Sequence, residues 1–417
     1  MSVENIPLFK QQALAWADSF EVCCYLDSNH YEDSYGAYDF IIAAGAANEL
    51  TSEVGKAFDE WKAFYETHKS WMFGFLSYDL KNELEDLKSD HPDRLLFPDL
   101  YFFIPQYLIA GKGNEVHILI GDARVLEEIT KIIYVEEMIG SPGKMEARID
   151  KGKYIEAVEA LQANILRGDI YEANFCQEFF STHAVVNPLA IYRKLAALSP
   201  TPFSGYFKRY DQYILSASPE RFLRKKGNKL ISQPIKGTAK RGANPEEDAH
   251  NKLTLRNDSK EQAENVMIVD LVRNDLTKSA VKGSVVVEEL FGVYGFAQVY
   301  QMISTVSCEL NPEVHFIDAI KNAFPMGSMT GAPKLRAMEL IEQMEVQRRG
   351  VYSGAMGYVE PSGDFDFNVI IRSFLYNASI NYLSFQVGGA ITYAAEAHAE
   401  YEECLLKASA LIKTLQN

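Results

Sequence analysis

Zinc-type cysteine spacing, a C-x-x-C pair, a long apolar run and an excess of positive charge are all missing from this chain of 417 residues. Its five Cys (Cys23, Cys24, Cys176, Cys308 and Cys404) are scattered and odd in number. That argues against a disulfide framework and fits buried thiols in a reducing, cytoplasmic setting. No run of about 18 apolar residues occurs, so no membrane-spanning helix is expected. The start, Met1-Ser-Val-Glu-Asn-Ile-Pro7, lacks the basic and then apolar profile of a signal peptide. Lys and Arg number 41 against 57 Asp and Glu, a formal charge of −16. Such a surface repels phosphate backbones and speaks against nucleic acid as a partner. Repeats at a solenoid or propeller period and low-complexity tracts are absent too.

What is present suits a large buried core: 47% apolar and 12% aromatic residues, over a length that exceeds one average domain. The first third carries short strand-like runs, such as Trp71–Tyr78 and Tyr101–Ile104. Ser141-Pro-Gly-Lys144 is a turn-rich break. It sets an expected boundary between an N-terminal region, 1–145, and a catalytic region, 146–417. Tyr154, Val158, Leu161 and Ile165 then stripe one helix face, with Gly168 at the C-cap position. Runs at 211–216, 221–224 and 230–233 read as an antiparallel meander. Further helices are expected over about 259–271, from Pro333 onward with Leu335, Met338 and Ile341 or Met344 on one side, and over about 399–415. Strands are expected at 355–359, 369–375 and 382–387. Strands and helices mix without strict β-α-β alternation, so the fold class is α+β with antiparallel sheets.

Several groups carry chemistry. Glu261 and Glu264 are three residues apart, as are Glu400 and Glu403, with Lys407 four further on. Each pair shares a helix face and aims two carboxylates at one point. A hard cation such as Mg²⁺ takes oxygen ligands and keeps several waters, so few carboxylates suffice; on spacing alone, such pairs are more often a solvated face. Lys236, in Pro234-Ile-Lys-Gly-Thr238, is either a turn lysine or an amine nucleophile, which must be neutral and hence desolvated or set beside cations. Glu220, in Ser218-Pro-Glu-Arg-Phe222, faces the same cleft if the meander pairs as read, either as a general acid or as a hairpin salt bridge. Gly327–Lys334 is a small-residue loop whose free N–H groups suit an anion. Val387-Gly-Gly-Ala390 is a second place for close backbone approach. Arg372, between apolar neighbours, calls for a carboxylate partner.

Taken together these segments resemble the chorismate-utilising enzymes, a family that includes anthranilate synthase component I, aminodeoxychorismate synthase component I, and the isochorismate and salicylate synthases. The matching stretches run in family order: Gly168–Tyr171, Ser218–Phe222, Pro234–Thr238, Lys260–Glu261, Glu264–Leu276, Phe324–Lys334, Arg348–Ala355, Ile370–Arg372 and Glu400–Glu403. The N-terminal third matches chiefly through Gly74–Leu80. The resemblance implies antiparallel sheets forming a sandwich-like core flanked by helices. It also implies Mg²⁺ ligated by Glu264 and Glu403, with Glu261 and Glu400 acting largely through water. The metal would hold one carboxylate of chorismate, while Arg372, Tyr352 and the backbone at Gly388 and Gly389 would hold the other. Ser328 and Lys407 would line the site.

Lys236 stands where the adduct-forming, aminating branch carries Lys. Glu172 stands where the water-adding branch carries a Lys base, and where Gln is otherwise usual. The implied reaction begins with Lys236 at ring C2 and Glu220 protonating the C4 hydroxyl. Ammonia then enters at C4 and expels the lysine, giving 4-amino-4-deoxychorismate for para-aminobenzoate and folate synthesis. None of the five Cys has a glutaminase setting, so a separate glutamine amidotransferase subunit is the expected ammonia source. The alternatives are anthranilate formation and an inert chorismate-binding regulatory subunit. Gln301 replaces a usual His, Ala239 a usual Arg, and Tyr25-Leu-Asp-Ser28 stands where anthranilate synthases carry a Leu-Leu-Glu-Ser feedback motif, which weakens the case for tryptophan inhibition.

Overall fold

The computed structural model describes residues 2–133, 135 and 137–416. In its first part helix α1 (Ile6–Asp18) is followed by strands β1 (Val22–Asp27), β2 (Phe40–Ser52), β3 (Met72–Leu76) and β4 (Leu100–Lys112). Next come helix α2 (Lys151–Arg167) and strands β5 (Glu172–Ser181), β6 (Phe203–Arg209), β7 (Gln212–Ser218), β8 (Arg221–Lys226), β9 (Lys229–Gln233) and β10 (Ile235–Lys240). Helix α3 (Ser259–Thr277), β11 (Val286–Gly295), β12 (Val299–Glu309) and helix α4 (Lys334–Met344) follow. The chain ends with β13 (Ala355–Val359), β14 (Phe365–Val369), β15 (Ser373–Asn377), β16 (Tyr382–Ile391) and helix α5 (Ala397–Thr414).

Pairing is antiparallel throughout, and it strings the strands into one ladder. The order is β5-β16-β15-β7-β6-β1-β2-β4-β3-β13-β14-β8-β9-β12, with β10 and β11 both on β12. Strands from before residue 145 sit between strands from after it: β1 lies between β2 and β6, and β3 beside β13. The long pair β2 and β4 breaks register between Ala46 and Asn48, next to Gly45 in the left-handed region at φ 66°. Such a bulge bends a strand and strengthens its twist.

Side chains alternate between two apolar layers, as a period of two requires. Cys24, Ile41, Ala43, Phe207 and Ile214 join the layer containing Phe73, Phe102, Leu223 and Phe367. Their neighbours Cys23, Ile42, Ala44, Tyr206 and Leu215 pack with Phe9 and Leu14 of α1, Val158 and Leu161 of α2, and Leu411 of α5. The fold is thus the expected α+β sandwich-like core of antiparallel sheet, flanked by helices.

Most expected elements are present, and three details differ. Helix α2 is capped by the Asp150 side chain and ends on Gly168 at φ 89°, as its spacing predicts. The meander is only partly one: β8 and β9 form a hairpin, but β7 pairs with β6 and β15 instead of β8. Ser218-Pro-Glu therefore carries the chain from one part of the ladder to another. The expected strand 369–375 is two strands, with 370–372 outside both. In α4, Pro333 is the residue before the helix, and Leu335 is exposed while Met338 and Ile341 are buried. Apolar spacing alone offered Leu335 to the core, but α4 buries Ala337, Met338, Leu340 and Ile341 instead.

Candidate active site

The two ends of the ladder are joined by a side-chain contact between Lys236 and Glu172, and the site is built around it. β5 forms one end, and β10 with β12 forms the other. A register shift between Ile235 and Thr238 places Lys236 and Gly237 opposite the single residue Met302 of β12. The bulge turns Lys236 out of the ladder, a common way for a strand to aim a side chain. Gly237 has φ 93°, and a Cβ there would lie 3.0 Å from Glu261 Oε2, so glycine both permits the bend and admits the carboxylate of α3. Lys236 Nζ reaches Glu172 Oε1, at the first residue of β5, at 2.5 Å.

Glu172 is held rigidly. Its strand pairs with Gly331–Ala332, and the Tyr171 N–H donates to the Ala332 carbonyl at 2.7 Å. A Cβ on Gly331 would lie 2.1 Å from the Glu172 carbonyl oxygen, so only glycine permits this approach. The loop carrying Gly331 is fastened from two sides. Lys334 Nζ donates to Asp275 Oδ2 at 2.5 Å and to the Pro325 carbonyl at 2.8 Å. Arg349, paired with Glu345 at 2.7 Å, donates to the Met329 carbonyl at 2.7 Å. The loop thus serves as a braced wall of the site, and it carries Ser328, whose buried hydroxyl lies near Glu220 and finds no hydrogen-bond partner among the described residues.

Glu220, in the segment between β7 and β8, is buried. Burial pushes its carboxyl up to about 7, against the opposing pull of Ser328, Lys236, the Ile235 N–H and Arg372. Burial would lower the Lys236 ammonium, but Glu172, Glu264 and Glu220 more than offset it and raise it above its ordinary value. Of the two settings expected for this amine, the desolvated one is met and the one beside cations is reversed: among the protein's own groups, acids dominate around this lysine. Arg372 has its backbone at φ 52°, in the left-handed region that is uncommon for a non-glycine residue. Burial disfavours its charge and Glu220 supports it, with the first effect larger. Tyr352 is buried, with its hydroxyl 3.5 Å from Cys176 Sγ. Its turn is tied to the Arg372 segment by the Ser353 N–H donating to the Ile370 carbonyl at 2.9 Å.

The helical carboxylates arrive from two sides. The Asp258 side chain caps α3 by accepting from the N–H groups of Lys260 and Glu261. Glu396 caps α5 in the same way, through His398 and Ala399. Burial pushes Glu264 up to about 7, and it raises Glu261 and Glu400, with neighbouring carboxylates adding to all three. Burial would also raise Glu403, but Lys407, 2.8 Å away, holds it below the usual range. Lys407 Nζ also donates to the Gly388 carbonyl at 2.8 Å, and a Cβ on Gly389 would lie 3.4 Å from Glu400 Oε2. Among the described residues no three His, Cys, Asp or Glu side chains converge closely enough to enclose a metal ion. The donor set is nonetheless all oxygen and short of positive charge, which fits a hard cation that keeps most of its water.

The structure thus brings Lys236, Glu220, Ser328, Arg372 and Glu264 into one electrostatic neighbourhood, and Gly388, Gly389, Glu400, Glu403 and Lys407 into a second that adjoins it through Glu261. Sequence reasoning noted Glu172 only as a departure. Glu172 opens a strand whose following residues, Ala173 and Phe175, are apolar and buried, and a buried carboxylate there needs a cation. Gln301, opposite Thr238, is buried.

The profile of the chorismate binding enzyme family matches residues 21–413. Anthranilate synthase component 1 of Thermus thermophilus is 34% identical over 357 residues, which cover 82% of this chain and 77% of that protein. Aminodeoxychorismate synthase component 1 of Klebsiella aerogenes is 34% identical over 349 residues, with the same 82% and 77% coverage. Among solved structures, anthranilate synthase component I from Streptococcus pneumoniae is similar with a TM-score of 0.80 at 29% identity, over 91% of this chain and 93% of that one.

Proposed function

The chain belongs to the chorismate binding enzyme family, and we propose that within it this protein aminates chorismate at C4, as an aminodeoxychorismate synthase component I. The observation that carries this reading is Lys236, bulged out of β10, buried, and set among Glu172, Glu220 and Glu264. Once it has given up its proton, an amine placed in this way is suited to attack ring C2. Glu220, near 7, retains a proton at neutral pH that it can give to the departing C4 hydroxyl. Ammonia at C4 then displaces the lysine and leaves 4-amino-4-deoxychorismate, a precursor for para-aminobenzoate and folate synthesis. Arg372, with Tyr352 and the backbone at Gly388 and Gly389, holds one substrate carboxylate, and Ser328 and Lys407 line the walls.

Glu264 and Glu403 are the residues that would ligate Mg²⁺, with Glu261 and Glu400 acting through water. When bound, the cation would neutralise a substrate carboxylate that this acidic cluster would otherwise repel. Full turnover in EDTA, or in Glu264→Ala or Glu403→Ala, would remove that assignment.

The ammonia comes from a separate glutamine amidotransferase subunit in the cytoplasm. All five Cys are free and buried, and burial pushes Cys176 and Cys308 up to about 11, which suits inert thiols and not a glutaminase nucleophile. With glutamine alone the isolated chain should be inactive, and high ammonium should restore turnover. The anthranilate reading is favoured by the equal 34% identity to the Thermus thermophilus enzyme. Product analysis with chorismate, Mg²⁺ and ammonium, with and without an added aminodeoxychorismate lyase, separates the two. A non-aromatic product that needs the lyase supports C4 amination, and ortho-aminobenzoate with pyruvate overturns it. No turnover at all would leave the inert regulatory role.

A further inference from the structure

We propose that Glu172 is the proton acceptor that converts Lys236 from an ammonium into the attacking amine, a catalytic role that rests on the covalent reading above. A lysine surrounded by acids is held as an ammonium, and an ammonium has no lone pair for C2. Its proton must therefore leave before attack, and the structure offers one route. Among the described residues, the hydrogen-bond acceptor on Lys236 Nζ is Glu172 Oε1, at 2.5 Å. Glu172 is buried and the Lys236 side chain is only 11% exposed, so the proton passes directly across that bond with no need of bulk water.

The competing carboxylates are committed elsewhere. Glu220 faces Ser328 and the Ile235 N–H and is the acid for the C4 oxygen. Glu264 stands on α3 beside Lys260, at 3.9 Å. Glu172 has Lys236 as its ion-pair partner, and its place is fixed by the Gly331–Ala332 pairing. A charge-assisted contact of this length is strong, so the transfer path is already formed in the resting site.

The steps balance. At rest Lys236 and Glu172 stand as an ion pair. One proton moves from Nζ to Oε1. The Nζ lone pair then forms a bond to C2, both ring double bonds shift (C1=C2 to C1=C6 and C5=C6 to C4=C5), and the C4–O bond breaks. Glu220 supplies the proton with which that oxygen leaves as water, so the adduct is a secondary ammonium and Glu220 a carboxylate. Ammonia forms the C4–N bond, both double bonds shift back, and the C2–N pair returns to Lys236. Glu172 gives its proton back to Lys236, and the new C4 ammonium reprotonates Glu220. The sum is chorismate plus ammonia giving the C4 amine plus water.

The alternative is a static ion pair that only joins the two ends of the ladder. Single-turnover mixing of the full chain with chorismate and Mg²⁺, with ammonia withheld, separates the two when the adduct on Lys236 is followed by intact mass. Glu172→Gln keeps the shape but cannot accept the proton. It should slow adduct formation by about 10²-fold or more while chorismate affinity stays within about threefold. Adduct formation at the wild-type rate or faster in Glu172→Gln overturns the proposal, because removing a mere counter-ion frees the amine. If Glu172→Gln does not fold, Glu172→Asp decides. A rate lowered by about tenfold with affinity kept supports the assignment, and an unreduced rate overturns it. Wild-type turnover with no adduct on Lys236 overturns the covalent reading and this proposal together, whereas an adduct in wild type that persists at full rate in Glu172→Gln overturns this proposal alone.

Discussion

Two of the clusters of buried charge in this chain are balanced in opposite ways. On β8, the Arg221 guanidinium binds Asp366 through Nε and Nη2 at 2.8 and 2.9 Å and also pairs with Asp33, while Arg224 reaches Asp366 at 2.6 Å. Burial would raise the Asp33 carboxyl, but Arg221 more than offsets it and holds it below the usual range. Around Lys236, Glu172, Glu220 and Glu264 share one ammonium, and Glu220 and Glu264 stand near 7. A cavity of about 110 Å³ lies beside the first cluster, lined by Asp33, Arg221 and Asp366 among others. Concavity alone would thus have pointed away from Lys236. Incomplete neutralisation, which leaves protons free to move near neutral pH, is the better marker of chemistry.

The contrast breaks first at Lys236. Lys236→Ala should cost about 10³-fold or more in C4 amination, since a nucleophile has no substitute. Residual reaction should shift to direct ammonia attack at C2, read by product analysis. Wild-type rate and regiochemistry in this variant would refute the covalent mechanism.

Asp366→Leu should do the opposite. It leaves Arg221 and Arg224 without their main counter-charge and should lower stability by about 3–5 kcal/mol in chemical denaturation. Turnover per folded molecule should hardly change. A loss of turnover with full stability would mean that the two clusters are not separate in role.

Glu220→Gln sharpens the distinction further, with an expected loss of about 10²-fold. The wild-type protein should lose activity as pH rises through about 7, because Glu220 must be protonated to act, and that limb should vanish in the variant. The stability sign follows from the same shift. The folded carboxyl binds its proton more tightly than the unfolded one, so its contribution is present at low pH and lost as pH rises from about 4.5 towards 7. Glu220→Gln should flatten that decline in melting temperature.

The smallest effect belongs to Lys407→Met. Its contact with Glu403, at 2.8 Å, is half exposed on both sides. Stability should change by less than about 1 kcal/mol in thermal melts.

Much of this was legible along the chain wherever the signal was local. The stripe at Tyr154, Val158 and Leu161 and the glycine stop at Gly168 marked α2, because helix periodicity and capping need only neighbours in sequence. Spacing likewise put Glu261 with Glu264, and Glu400 with Glu403, on single helix faces. Arg372 was misplaced in a strand, because a left-handed residue between two apolar strands leaves no local mark when it is not glycine. The partner of β7 was missed for a related reason: adjacent runs pair by default, and only the whole ladder sends β7 to β6 and β15.

The sequence by itself determined which residue types were available and on which short elements they sit: a lysine before a glycine, an acid after a proline, and paired carboxylates on two helices. Only the tertiary structure decided that Lys236 meets Glu172, 64 positions earlier in the chain, at 2.5 Å. Their separation in the ladder is larger still, since β5 and β10 lie towards its opposite ends, and they touch because the ladder bends back over its apolar layers. Whether an amine among acids is an ammonium or a free base depends on burial and distance, and neither is a property of sequence spacing.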